Sequence, residues 1–89
     1  METVHILVTG QVQGVFFRRS TKLIAIENHL SGWVRNLEDG RVEIMAQGKE
    51  MDLRRFEGWC RMGPKNASVK EVTREEVIGA EQFEKFIII

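Results

Sequence analysis

The spacing of apolar residues changes repeatedly along this chain, and that changing period restricts the folds open to it. Val4, Ile6 and Val8 alternate with more polar neighbours, the period-two signature of a strand with one buried face. Leu23, Ile26 and Leu30 then recur at steps of three and four, which places them on one side of a helix. Val42, Ile44 and Ala46 return to alternation, and Leu53, Phe56 and Cys60 return to helical spacing with Trp59 beside them. The pattern predicts strands over residues 3–9, 32–36, 41–47, 68–77 and 83–89, with helices over 17–28 and 50–62. Phe86 and Ile88 share one side of the last strand. The Asp39-Gly40 pair marks a hairpin between the second and third strands. Gly63-Pro64 stops the second helix, and Asn28-His29 is a plausible left-handed end for the first.

The order is strand, helix, strand, strand, helix, strand, then a closing strand. Two strand–helix–strand units with right-handed crossovers give an antiparallel sheet with both helices on one face. This α/β (α+β) arrangement, βαββαβ plus a closing strand, is the ferredoxin-like sandwich, a scaffold that by itself decides no function. The 89 residues contain no linker or repeat, so residues 1–89 are read as a single domain.

Between the first strand and the first helix lies GQVQGVFFRR, Gly10 to Arg19. Glycines at a strand-to-helix turn let successive backbone N–H groups face one point, and the helix dipole favours an anion there. The planar fork of Arg18 suits two phosphate oxygens. Val15, Phe16 and Phe17 are expected to tuck into the core and hold the loop in shape. The segment therefore has the parts of a phosphate cradle, although an ordinary glycine turn with solvated arginines fits the same residues. It matches neither the GxxxxGK[ST] nor the GxGxxG spacing.

Other function classes find less support. Net charge is zero, against the basic excess usual in nucleic-acid binders. An RNA-recognition module needs aromatics exposed on its strands, whereas Phe16 and Phe17 fall in the loop. No apolar run approaches the ~20 residues of a membrane span, and Met1 to Thr9 reads as a strand rather than a signal peptide. Cys60, the only cysteine, can form no internal disulfide or cysteine-based zinc site and is expected in the core. No His or carboxylate pair stands at metal-ligand spacing, and His5 and His29 are read as structural or solvated. Thr21 either supports the loop by hydrogen bonding or plays a routine capping or surface role. Glu38, Asp39 and Arg41 are read as a solvated turn. The expected setting is the cytoplasm.

GQVQGVFFR closely resembles the signature loop of the acylphosphatase family, G-x-V-Q-G-V-x-F-R. A second stretch, GWVRNLEDGRVEIMAQG from Gly32 to Gly48, resembles that family's other signature. The similarity covers nearly the whole chain and is least diagnostic after about Val72. It implies metal-independent hydrolysis of the carboxyl–phosphate bond of acyl phosphates, with no cofactor. It further implies that Arg18 binds the phosphoryl group together with the amides of Val12, Gln13, Gly14, Val15, Phe16, Phe17 and Arg18, and that Asn36 holds the attacking water. Inorganic phosphate or sulfate would occupy the same loop. Arg19 receives no role from the resemblance and is read as a solvated helix residue.

This chain departs from the family pattern at His29, where many relatives have Gly, and in its tail Phe86-Ile87-Ile88-Ile89, where many carry Arg. The expectation is a monomeric enzyme acting on a small-molecule acyl phosphate, with no nucleic-acid or membrane partner. One rival is a non-catalytic anion-binding module on the same frame, for which a water-holding Asn36 would have no use. Another is a piece of a hydrogenase-maturation carbamoyltransferase; the opening Met1 and the closing strand are read as favouring a complete protein.

Overall fold

The computed structural model describes all residues, 1–89. Strand β1 spans Glu2–Gln11, helix α1 Phe17–Glu27, β2 Ser31–Asn36, β3 Val42–Gly48, helix α2 Glu50–Met62, β4 Ser68–Glu76 and β5 Phe86–Ile88. The sheet order is β4-β1-β3-β2-β5. The first four strands pair antiparallel, and β5 adds to the β2 edge in parallel. The sheet is therefore mixed, not wholly antiparallel. The closing strand is also shorter than its apolar run suggested. After β4, on one edge, the chain crosses the sheet end through residues 77–85 and reaches the opposite edge running alongside β2.

One face of the sheet supplies Val4, Ile6, Val8, Val34, Val42, Ile44, Ala46, Val72 and Phe86 to the core. Helix α2 covers β4, β1 and β3, and α1 covers β2 and β5. As its spacing predicts, α2 buries Leu53, Phe56 and Cys60. Helix α1 does not follow its expected stripe. It buries Phe17, Thr21 and Ala25, while Leu23 and Ile26 are exposed. Phe17 fixes the rotation of the helix, because its ring meets Trp59 of α2 with centroids 5.5 Å apart. One and two turns later, the small residues Thr21 and Ala25 let the backbone approach the sheet. His29, at φ 59°, adopts the left-handed conformation that ends α1, while Asn28 does not.

The other face of the sheet is partly open. It carries His5, bonded to Glu43 at 2.7 Å, and Trp33 with the Arg35 guanidinium 5.3 Å from its ring centre. So a strand aromatic is present there after all, capped by a cation.

Candidate active site

Three strand ends meet at one end of the sheet. β1 and β2 both run antiparallel to β3, and β5 runs parallel to β2. Their C-terminal ends therefore lie on the same side, next to the N-terminus of α1. A cavity of about 330 Å³ opens there, lined among others by Gly14, Arg18, Arg19, Asn36 and Ile88. Its volume is at the small end of the range for small-molecule pockets. Arg18 and Asn36, separate in sequence, thus line one cavity. Arg19 is solvated as expected, yet it also lines the rim. Ile88 joins them because β5 lies beside β2, with Ile88 opposite Val34; sequence reading had no means to place that edge.

The loop from Val12 to Phe16 has unusual backbone geometry. A bulge between Thr9 and Gly10 releases β1 from its regular pairing with β4. A Cβ at Gly10 would come within 2.2 Å of the Ser68 carbonyl oxygen, so only glycine passes there. Gly14 has open space around it but sits at φ 75°, where a side chain is strained. Phe16 adopts φ 63° and is 73% exposed. This corrects the expectation that Phe16 tucks inward: the left-handed backbone at the helix N-cap turns its ring outward, while Phe17 is buried and Val15 half-buried. A bulky residue at positive φ is a true outlier, of the kind that clusters at ligand clamps.

The same geometry frees donors. The first amide in this segment to bond the backbone is Ser20, to Phe16 O at 3.0 Å. The amides of residues 13–19 find no acceptor within the protein. No side chain caps α1, and no acid stands in its first turn. Instead Arg18 and Arg19 place two cations at the positive end of the helix dipole. Each such misplacement costs about 0.3–1 kcal/mol in an exposed helix, a cost that a bound anion would reverse.

Asn36 contributes a second anomaly. Its Oδ1 is buried and accepts no hydrogen bond. Leaving a buried acceptor unpaired costs about 1–3 kcal/mol, and such groups are rare enough to suggest a role. Thr21 Oγ1, fully buried in α1, is likewise unpaired. Thr21 therefore neither caps the helix nor supports the loop by hydrogen bonding, and it is not at the surface. Gln13 joins the two halves of the site: its Nε2 donates to Leu37 O at 2.7 Å and to Arg41 O at 3.0 Å. The turn it grips is braced by Arg41, whose amide and Nε both donate to the Asp39 carboxylate. The Arg41 amide leads in holding the Asp39 carboxyl below its ordinary value. Sequence reading had assigned Gln13 only a backbone amide and missed this side-chain bridge.

The remaining ionisable groups lie elsewhere. Cys60 is fully buried, and burial drives its thiol well above the ordinary range. No group of three or more His, Cys, Asp or Glu residues is placed to hold a metal ion. No helix is long and apolar enough to cross a membrane.

A ferredoxin-like sandwich with unpaired amides, and with an arginine at a helix N-terminus and Asn36 lining one cavity, defines a candidate anion-handling α+β domain. Comparison with known proteins narrows the class. The acylphosphatase family model matches residues 4–88. An acylphosphatase of Marinobacter nauticus is 49% identical over 82 residues, covering 92% of this chain and 89% of the relative. The crystal structure of acylphosphatase from Bacillus subtilis superposes with a TM-score of 0.97 at 37% identity, covering 100% of this chain and 99% of that one. The chain also matches 12% of T. kodakarensis HypF, with a TM-score of 0.86 and 34% identity over its own full length. This chain belongs to the acylphosphatase family. It is accordingly an enzyme of the type that hydrolyses acyl phosphates.

Proposed function

We propose that the protein hydrolyses small acyl phosphates by attack of a water held by Asn36 on phosphorus bound by Arg18 and the amides of residues 12–18. The observation that carries this reading is that Arg18 and Asn36, the latter with an unsatisfied Oδ1, line one cavity beside a run of unpaired amides. The leaving carboxylate is the conjugate base of an acid with a pKa of about 4, so it departs without a proton and no general acid is needed. The water oxygen forms a bond to phosphorus, and the bond from phosphorus to the acyl oxygen breaks with its electron pair on the carboxylate. The transferred phosphoryl group takes up a water proton. An amide side chain is no base near neutral pH, but its oxygen accepts a water hydrogen bond and aims the lone pair. Charge spread over the phosphoryl oxygens meets preformed donors, the larger part of catalysis in such transfers.

The enzyme acts as a monomer in the cytoplasm in this reading, and a single buried thiol suits a reducing compartment. The test is hydrolysis of benzoyl phosphate, followed by its ultraviolet absorbance with chelator present. Wild type should turn over. Arg18→Ala and Asn36→Ala should each lose on the order of 10²- to 10³-fold in rate while keeping the native melting temperature within a few degrees. Binding of inorganic phosphate without turnover would sink the enzymatic mechanism and leave an anion-binding module.

A further inference from the structure

β1 and β2 are not neighbours in the sheet; β3 lies between them. No ladder hydrogen bond therefore ties the loop after β1 to the end of β2. Yet the proposed chemistry needs those two places in fixed relation, since one carries the phosphoryl donors and the other the water. Misplacing reacting groups by about 1 Å can cost on the order of 10²-fold in rate.

The side chain of Gln13 spans that gap. Its Nε2 donates twice to the β2–β3 turn: to Leu37 O at 2.7 Å and to Arg41 O at 3.0 Å. Leu37 directly follows Asn36 in sequence. Leu37 and Arg41 are also the residues that close the turn, through Leu37 N donating to Arg41 O at 2.8 Å. The turn is stiffened further by Gly40 N donating to Leu37 O and by the Asp39–Arg41 ion pair. The anchor is thus a rigid turn adjoining the water-holding residue. The attachment point is a loop residue next to Gly14, among the unpaired amides. An amide suits this place because it offers two N–H donors to two carbonyl acceptors, which a carboxylate cannot do.

We propose that Gln13 is a positioning residue, which sets Asn36 in register with the phosphoryl group held by the loop. This rests on the roles given above to Arg18 and Asn36. Gln13 touches neither water nor phosphorus through its side chain; it acts through the turn.

The experiment compares wild type, Gln13→Glu, Asn36→Ala and the double variant on benzoyl phosphate, with inorganic phosphate as competitive inhibitor. Gln13→Glu keeps the shape and loses both donors at neutral pH. Its kcat should fall about 10- to 100-fold; because the new carboxylate also repels phosphate, the inhibition constant is read in the neutral Gln13→Ala, where it should change less than about threefold. In the Asn36→Ala background the same substitution should cost less than about threefold, because a residue that acts through Asn36 has nothing left to position. Below about pH 4.3 the introduced carboxyl regains one O–H donor, and the ratio of variant to wild-type kcat should rise. Additive losses in the double variant, or a phosphate affinity of Gln13→Ala that falls in step with its kcat, would overturn the proposal and make Gln13 a shaper of the loop alone. Should Gln13→Glu fold poorly, Gln13→Ala answers the same cycle. A wild type that hydrolyses nothing, or an Asn36→Ala enzyme of full activity, would instead refute the underlying mechanism, so the two failures are told apart.

Discussion

Helices α1 and α2 pack on the same face of the sheet, but their N-termini are built in opposite ways. α2 opens with Glu50 and Asp52 in its first turn and closes with Arg61 in its last, so charges at both ends complement its dipole. Glu50 pairs with Arg54 and Arg74, Asp52 with Arg55, and Glu57 with Arg61 and Arg74. Neither helix has a side-chain cap, but α1 opens with two arginines, no acid and a strained Phe16. Its buried stripe contains an unpaired hydroxyl, whereas that of α2 contains Leu53, Phe56 and Cys60. Ion pairs concentrate in the helix that does not line the cavity. They are missing at the end that faces it, where the proposed function needs donors and cations left free for a ligand.

Substitutions can break this contrast. The largest effect is expected in α2. Leu53→Ala removes a fully buried side chain and should cost about 2–5 kcal/mol of stability. Below the new melting temperature the kinetic constants should stay near wild type, and urea titration alongside the benzoyl phosphate assay checks both halves. A loss of kcat larger than the unfolded fraction explains would show that the two helices are not separable in this way.

Thr21→Val sharpens the contrast from the other side. Val matches Thr in shape and removes the unpaired Oγ1, so stability should rise by about 1 kcal/mol. A fall in stability would mean that the hydroxyl is satisfied in solution and α1 is better built than it looks.

The smallest effect concerns pH. Hydrogen bonds from Arg74 and then Arg54 hold the Glu50 carboxyl below its ordinary value of 4.5. A depressed folded-state value adds stability at pH above the unfolded value, and that stability is lost as pH falls through the folded one. α1 has no acid in its first turn and contributes nothing comparable there. Glu50→Gln should therefore shallow the decline of the urea midpoint as pH falls below the ordinary value of 4.5. An unchanged slope would assign the acid sensitivity to other carboxylates.

The contrast also explains what could be read from the sequence. α2 was legible from Glu50 to Met62 because the apolar stripe Leu53, Phe56 and Cys60 is the one it buries, with Gly63 at φ 70° as its stop. α1 was misread because Leu23 and Ile26 imitate a core stripe, while the real one includes a threonine and an alanine. Its orientation comes from Phe17 against Trp59, a tertiary contact that no local pattern carries. The antiparallel pairs followed from strand order and the turn at Gly40. The parallel seat of β5 did not, since a short apolar run is indifferent to which edge it joins. At the site, Arg18 and Asn36 stood out through two motifs. The outward ring of Phe16 and the grip of Gln13 did not, because both depend on backbone angles and distances fixed only by the folded loop.

The inner position of β1 has a consequence for biosynthesis. β1 leaves the ribosome first, yet its two partners are encoded later: Val8 pairs with Val42 on one side and Val72 on the other. Gly10, at the root of the loop, lies against Ser68 and Lys70. The segment translated earliest thus waits for β4 before its surroundings are complete, and contacts so distant in sequence form slowly. A nascent chain halted before Ser68 would carry every residue assigned to catalysis and still lack the strand that braces the root of the loop.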